Sequence, residues 1–168
     1  VVVIGGGVVG VSTLYHLAKK GWNDVVLVER SELTAGSTWH AAGLLPLFNM
    51  SYSVGQLHKY SVDLYKRLQA ETGQDVSFHV TGNLRLATCR DRMDEYRKYC
   101  GTANTIGVPF QLISPAEVKE LWPLVNLGGD ADTPAVIGAL YHPDDGHIAP
   151  ADLTMALRAH GVRIVAPI

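Results

Sequence analysis

Cysteine is scarce in this sequence: Cys89 and Cys100 are the only two in 168 residues, and they form no C-x-x-C pair. Two such residues cannot build a disulfide framework or a zinc site, and their scarcity fits a reducing compartment. An excess of either charge is missing as well. Fourteen Lys and Arg stand against sixteen Asp and Glu, for a formal charge of -2, so no global field draws the chain to nucleic acid or anionic lipid. The most apolar opening stretch, residues 1–11, lacks the basic flank of a signal peptide and is far shorter than the ~20 residues of a membrane helix. Neither nucleic acid nor membrane is expected as a partner. Repeats and low-complexity tracts are also absent. What is present is 47% hydrophobic and 18% charged, the composition of a folding sequence. A chain of this length buries roughly 70% of its unfolded surface.

Along the chain, Val1-Val2-Val3-Ile4 is a β-branched run stopped by three glycines, which predicts a parallel strand covered on both faces. The segment 8–20 then sets Val11, Leu14, Tyr15 and Ala18 at helical spacing, with Lys19 and Lys20 at the negative end and Gly21 as the stop. A second buried strand at 25–28 completes a right-handed βαβ unit. The segment 31–46 is rich in Gly, Ser, Thr and Ala, small residues that let backbone approach a ligand closely. Leu57, Tyr60, Leu64 and Leu68 recur at helical spacing until Gly73; 82–87 alternates like a strand; 91–100 reads as a helix with Met93, Tyr96 and Cys100 on one side. Ser114-Pro115-Ala116-Glu117 has the residues of a capped helix start. A strand-like run at 135–141 leads into the turn His142-Pro143-Asp144-Asp145-Gly146, and a helix at 150–160 with a strand at 162–165 restores the βα pattern. His142 and His147 lie near Asp144 and Asp145, but a Pro-Asp-Asp-Gly turn accounts for the acids without a metal, and none is expected.

Gly5-Gly6-Gly7-Val8-Val9-Gly10 satisfies G-x-G-x-x-G, and its context strengthens the match, since it follows a strand and opens a helix. Gly5 makes the tight turn. Gly7 lets bare backbone reach a pyrophosphate that faces the helix amides, and Gly10 lets helix and sheet pack closely. Glu29 ends the second strand, where its carboxylate can accept hydrogen bonds from ribose hydroxyls. An acid there disfavours a 2′-phosphate, hence NADP; NAD and FAD share the same adenosine diphosphate half and stay undecided on these residues.

The stretch Glu29-Arg30-Ser31-Glu32-Leu33-Thr34-Ala35-Gly36-Ser37-Thr38-Trp39-His40-Ala41-Ala42-Gly43-Leu44 resembles the dimethylglycine dehydrogenase and sarcosine dehydrogenase family of flavoproteins. It is closer to the dimethylglycine branch, because Ala41-Ala42-Gly43-Leu44 follows the histidine, and the likeness extends through Tyr141-His142-Pro143-Asp144-Asp145-Gly146-His147. The resemblance implies an α/β fold: a Rossmann-like FAD-binding domain of the D-amino-acid-oxidase-like flavoprotein type, with an inserted α+β segment. Residues 1–46 and 134–168 would be parts of the FAD-binding domain, and 47–133 the insert, part of a substrate or cap domain. It implies too that His40 carries FAD covalently. Gly5, Gly7, Val8, Val9, Gly10, Glu29, Arg30, Gly36, Ser37, Thr38, Trp39, His40, Ala41, Ala42, Gly43 and Leu44 would line the cofactor. For Trp39, flavin contact and plain packing are equal readings.

The implied activity is oxidative demethylation of an N-methyl amine, a small dimethylglycine-like amino acid. FAD takes the hydride equivalent, and electrons pass to an electron-transfer flavoprotein or oxygen. Tetrahydrofolate belongs at most to a longer protein, of which this chain is expected to be a truncated piece, since it begins without Met inside a strand. No base or carboxylate anchor is assigned within it. The implied compartment is the cytoplasm, or the mitochondrial matrix in a eukaryote. An NAD-linked oxidoreductase and a non-catalytic regulatory relative with the same fold are the competing readings. One departure from the family is a short helix before Gly161, which predicts a displaced following strand or a deletion.

Overall fold

The computed structural model describes residues 1–159 and 163–165. In chain order the elements are β1 (Val2–Ile4), α1 (Val8–Lys19), β2 (Val26–Val28), β3 (Leu44–Leu45), α2 (Tyr52–Thr72), β4 (His79–Val80) and β5 (Asn83–Ala87). There follow α3 (Arg90–Ile106), β6 (Gln111–Ile113), α4 (Pro115–Leu121), β7 (Gly138–His142), β8 (Gly146–His147), α5 (Pro150–Arg158) and β9 (Arg163–Val165). Contacts divide them into two units, one of Val1–Leu45, Val62–His79 and His147–Ile168, the other of Pro46–Ser61 and Val80–Gly146. The expected insert at 47–133 starts within one residue of the second unit but differs from it inside, at Val62–His79, and at its end, Gly146. The later half of α2 carries Leu64 and Leu68 into the core of the first unit, and β7 belongs to the second because it pairs with β5 and β6.

The first unit is built on a parallel sheet in the order β1-β2-β9, with Val3 opposite Leu27 and Val28 opposite Val165. The helix and strand expected at 150–160 and 162–165 take these places, although positions 160 and 162 lie outside the described residues. The short helix before Gly161 does not displace the strand, which pairs along its whole length with β2. Val11, Leu14 and Tyr15 of α1 pack with Leu27, Leu153 and Leu157 in a dry core, the consequence of one apolar stripe on each helix. The cover expected on both faces of the first strand is met on one face only among the described residues: Val2 is 64% and Ile4 86% exposed. α1 and α5 supply an apolar layer to one face of the strand, where Val3 packs, and nothing among the described residues covers the side to which Val2 and Ile4 point.

A three-residue polar cluster ties α1 to the later part of α2 within this unit. The Tyr15 hydroxyl donates to Glu71 Oε2 at 2.8 Å, and Lys19 Nζ donates both to that carboxylate and to the Tyr15 oxygen, each at 3.0 Å. The phenol ring is fully buried while its oxygen finds partners at the rim, the usual placement of an amphipathic aromatic.

The second unit holds the antiparallel sheet β5-β7-β6, with Leu84 opposite Tyr141 and Leu112 opposite Leu140. Its α4 begins with the predicted capping box, Ser114 and Glu117 exchanging side-chain and backbone hydrogen bonds. Helix α3 runs further than the expected 91–100, because Tyr99, Ala103 and Ile106 continue the buried face by another two turns. A small sheet in the order β3-β8-β4 completes the strands.

Candidate functional site

The first unit assembles the glycine turn and the segment 31–43 from residues far apart in sequence. Gly5 continues the strand ladder, its N–H donating to Val28 O at 2.9 Å, and then turns with φ +109°. At Gly10 a Cβ would sit 2.0 Å from the Gly5 carbonyl oxygen, so only glycine lets α1 start this close to the end of β1. Helix α1 has no acidic residue in its first turn, and Gly7 at its N-cap brings no side chain. Its positive end and first amides are therefore not neutralised from within the helix, the arrangement that receives a phosphate.

One of those amides is taken. The hydroxyl oxygen of Thr38, buried and thirty residues further on, accepts the Val8 N–H at 2.9 Å. Thr34, also buried and held at φ +71°, donates its N–H to Gly6 O at 3.0 Å and accepts the Trp39 N–H on its own carbonyl at 3.1 Å. Two threonines thus bolt the segment to both sides of the turn.

Glu29 closes the turn from the strand side. Its Oε2 accepts the Gly6 N–H at 2.6 Å and its Oε1 the Ser31 N–H at 2.9 Å. The Gly6 amide first and the Ser31 amide second hold its pKa below the ordinary carboxylate value. Each carboxylate oxygen keeps a further lone pair, so ribose hydroxyls can be received without breaking either bond.

His40 stands at the end of this chain of contacts with an exposed side chain. Its Nδ1 lies 3.1 Å from Gly36 O. A carbonyl only accepts, so this bond is made by the tautomer with a proton on Nδ1, in which Nε2 keeps its lone pair. Trp39, 70% exposed, does not pack into a core, and Arg30, Gly36, Ser37, Ala41 and Ala42 are likewise exposed. Gly43 anchors the far end: its φ is +75°, its carbonyl accepts the Ile148 N–H at 2.9 Å, and a Cβ there would lie 2.0 Å from Ile148 O. Val9 and Leu44 are exposed at 77% and 69%.

Apart from Val9, Arg30, Gly43 and Leu44, the residues predicted from sequence fall into two groups. Gly5, Gly7, Val8, Gly10, Glu29 and Thr38 converge on one turn; Gly36, Ser37, Trp39, His40, Ala41 and Ala42 form an open surface reached from it. Gly6 and Thr34 were not among the predicted residues. Gly6 was hidden as a variable position of the motif, and nothing in the sequence distinguishes Thr34 from its neighbours. Elsewhere, His142 and Asp145 form a buried pair at 2.8 Å, and no group of three or more ligand residues suited to a metal exists among the described residues. No helix among them is long and apolar enough to cross a membrane.

A glycine turn between a parallel strand and a helix, an acid at the end of the next strand and a small-residue segment bolted to the turn define a dinucleotide-dependent oxidoreductase fold. Residues 1–167 match the family described as DAO, FAD dependent oxidoreductase, and the chain belongs to that family. Membership decides between the two dinucleotides in favour of FAD. The chain is 48% identical over 170 residues to the mitochondrial dimethylglycine dehydrogenase of Rattus norvegicus, covering 99% of this chain and 19% of that protein. It is 38% identical over 168 residues to the mitochondrial pyruvate dehydrogenase phosphatase regulatory subunit of Mus musculus, covering 98% of this chain and 18% of that protein. Among solved structures, L-proline dehydrogenase from P. horikoshii superimposes with a TM-score of 0.88 at 32% identity, over 99% of this chain and 43% of the other. The chain therefore spans about a fifth of the length of the curated relatives it matches.

Proposed function

We propose that this chain is the ADP-binding and flavin-tethering part of an enzyme that oxidatively demethylates an N-methyl amino acid of the dimethylglycine type. The observation that carries this reading is the state of His40: exposed, placed by a segment bolted to the phosphate turn, and hydrogen-bonded through Nδ1 so that Nε2 is the free nucleophile. The regulatory relative is the second reading, favoured by its 38% identity, and a tethered flavin separates the two.

The site's residues fit FAD. The turn brings bare backbone to the diphosphate, Glu29 receives ribose hydroxyls, and the open surface around His40 leaves room for the ring system. The flavin, when bound, supplies the two-electron oxidation of the amine; the protein contributes position and electrostatics. His40 would hold the flavin through Nε2; such an attachment would exchange one methyl C–H bond and the Nδ1–H bond for one C–Nε2 bond, with dioxygen as the two-electron acceptor that leaves as hydrogen peroxide. Substrate-derived electrons go to an electron-transfer flavoprotein or to oxygen, and tetrahydrofolate would act only in the longer protein. The compartment is the matrix in a eukaryotic host and the cytoplasm in a bacterial one.

The test is acid precipitation of the complete protein. Yellow colour stays in the pellet of the parent and moves to the supernatant for His40→Ala. Colour that stays in the pellet of His40→Ala places the tether elsewhere, and colour released by acid from the parent removes the covalent tether and supports the regulatory reading.

A further inference from the structure

Helix α1 begins without a cap of its own, because Gly7 has no side chain and no acidic residue follows in the first turn. The cap comes from Thr38, whose Oγ1 accepts the Val8 N–H at 2.9 Å from thirty residues away and whose side chain is 7% exposed. A Cβ at Gly7 would lie 3.1 Å from the same oxygen, so any larger residue there would press the threonine back by a few tenths of an ångström. From Thr38 the path to the tether is two residues. Its carbonyl accepts the Ala41 N–H at 3.3 Å, and the His40 N–H is tied to Ser37 O at 3.2 Å. The turn that carries the imidazole is thereby referenced to the first amide of the phosphate-binding helix.

We propose that Thr38 is a positioning residue for covalent flavin attachment: by locking the 36–41 turn onto the start of α1, it sets where His40 Nε2 lies relative to a dinucleotide held at the glycine turn. This rests on the reading of His40 as the tether. Thr38 governs the rate of bond formation more than the strength of dinucleotide binding, because a near-attack geometry is sensitive to displacements of about 1 Å that most binding contacts tolerate. Removing the oxygen leaves the Val8 amide without its cap and frees the turn to move.

The experiment uses the complete protein, produced flavin-free under riboflavin limitation and then supplied with FAD, with covalent incorporation followed as acid-stable flavin fluorescence. Thr38→Val, which keeps shape and loses the acceptor, slows incorporation about tenfold or more, the effect of one lost buried hydrogen bond. Thr38→Ser restores the rate to within about twofold of the parent. In the His40→Ala background, where attachment is excluded, Thr38→Val weakens FAD binding by a smaller factor than it slows incorporation. Incorporation by Thr38→Val at the parental rate overturns the proposal, and so does a loss of affinity equal to the loss of rate, which makes Thr38 a phosphate contact instead. Should Thr38→Val not fold, Thr38→Ala takes its place under the same expectations; failure of both to fold while Thr38→Ser folds assigns the hydroxyl to stability alone and overturns the proposal. Covalent flavin retained by His40→Ala defeats the tether assignment without involving Thr38, so the two failures are distinguishable.

Discussion

The carboxylate of Glu29 lies across the glycine turn, with its Oε2 accepting the Gly6 N–H at 2.6 Å. One side chain therefore organises the turn and remains able to receive a ribose, which couples the order of the empty site to the chemistry of its ligand.

That coupling has a definite dependence on pH. The Gly6 and Ser31 amides lower the pKa of Glu29 in the folded chain, so the unfolded chain binds the extra proton first as pH falls. The stabilisation is complete above the ordinary glutamate value of about 4.3 and is lost as pH drops through the lowered folded value. In the flavin-free His40→Ala protein, adding Glu29→Gln flattens the fall of the melting temperature on the acid side and weakens FAD binding at neutral pH. Identical acid limbs with and without Glu29→Gln would remove the carboxylate from the turn.

Gly10→Ala tests the other half of the turn. The new Cβ would meet the Gly5 carbonyl at 2.0 Å, and a backbone oxygen cannot swing aside as a flexible side chain can. Helix α1 has to shift away from β1, at a cost of about 1–3 kcal/mol or more. Urea unfolding of the flavin-free protein should show an earlier midpoint, and FAD affinity should fall with it. A midpoint equal to the parent's would mean that the turn tolerates a side chain and that the close approach is not real.

The legible parts of this molecule were those written in short-range pattern. The strand, glycine turn and helix at the start follow from β-branching, glycine spacing and a stripe at 11, 14 and 15; the capping box at Ser114 and Glu117 follows from two residue types three apart. Two expectations differ from the structure. Burial of Val2 and Ile4 was inferred from their apolar character, but what covers a strand is decided by other segments, and apolar residues are often exposed. The end of α3 falls later than expected because Gly101, Thr102, Asn104 and Thr105 are weak helix formers that mask the buried spacing of Tyr99, Ala103 and Ile106. In the site, the glycines and Glu29 were readable from their motif. The roles of Thr34 and Thr38 were not, since each acts on a backbone atom about thirty residues away and leaves no local trace.

The last prediction concerns the turn that follows β7. Asp145 Oδ1 accepts from His142 Nδ1 at 2.8 Å and from the Leu47 N–H at 3.0 Å, and its main-chain oxygen accepts from Thr81 and Gly82 at 3.1 and 2.8 Å. Both residues of the pair are 2% exposed, and the His142 ring stacks on Phe110 at 4.6 Å. Oδ2 is buried and without a partner among the described residues, so this carboxylate already bears part of its desolvation cost. Asp145→Ala strands an imidazole N–H and a backbone N–H in the same buried pocket, which destabilises the second unit by about 1–3 kcal/mol for each group. Asp145→Asn keeps an acceptor and costs less. Hydrogen exchange at the paired amides of β5 and β7 is the measurement, because it reports on this unit without requiring the whole protein to unfold in one step. Protection in Asp145→Ala equal to that of the parent would show that the pair is incidental to the sheet; graded loss, larger for Ala than for Asn, identifies the acidic turn as the polar pin of an otherwise apolar core.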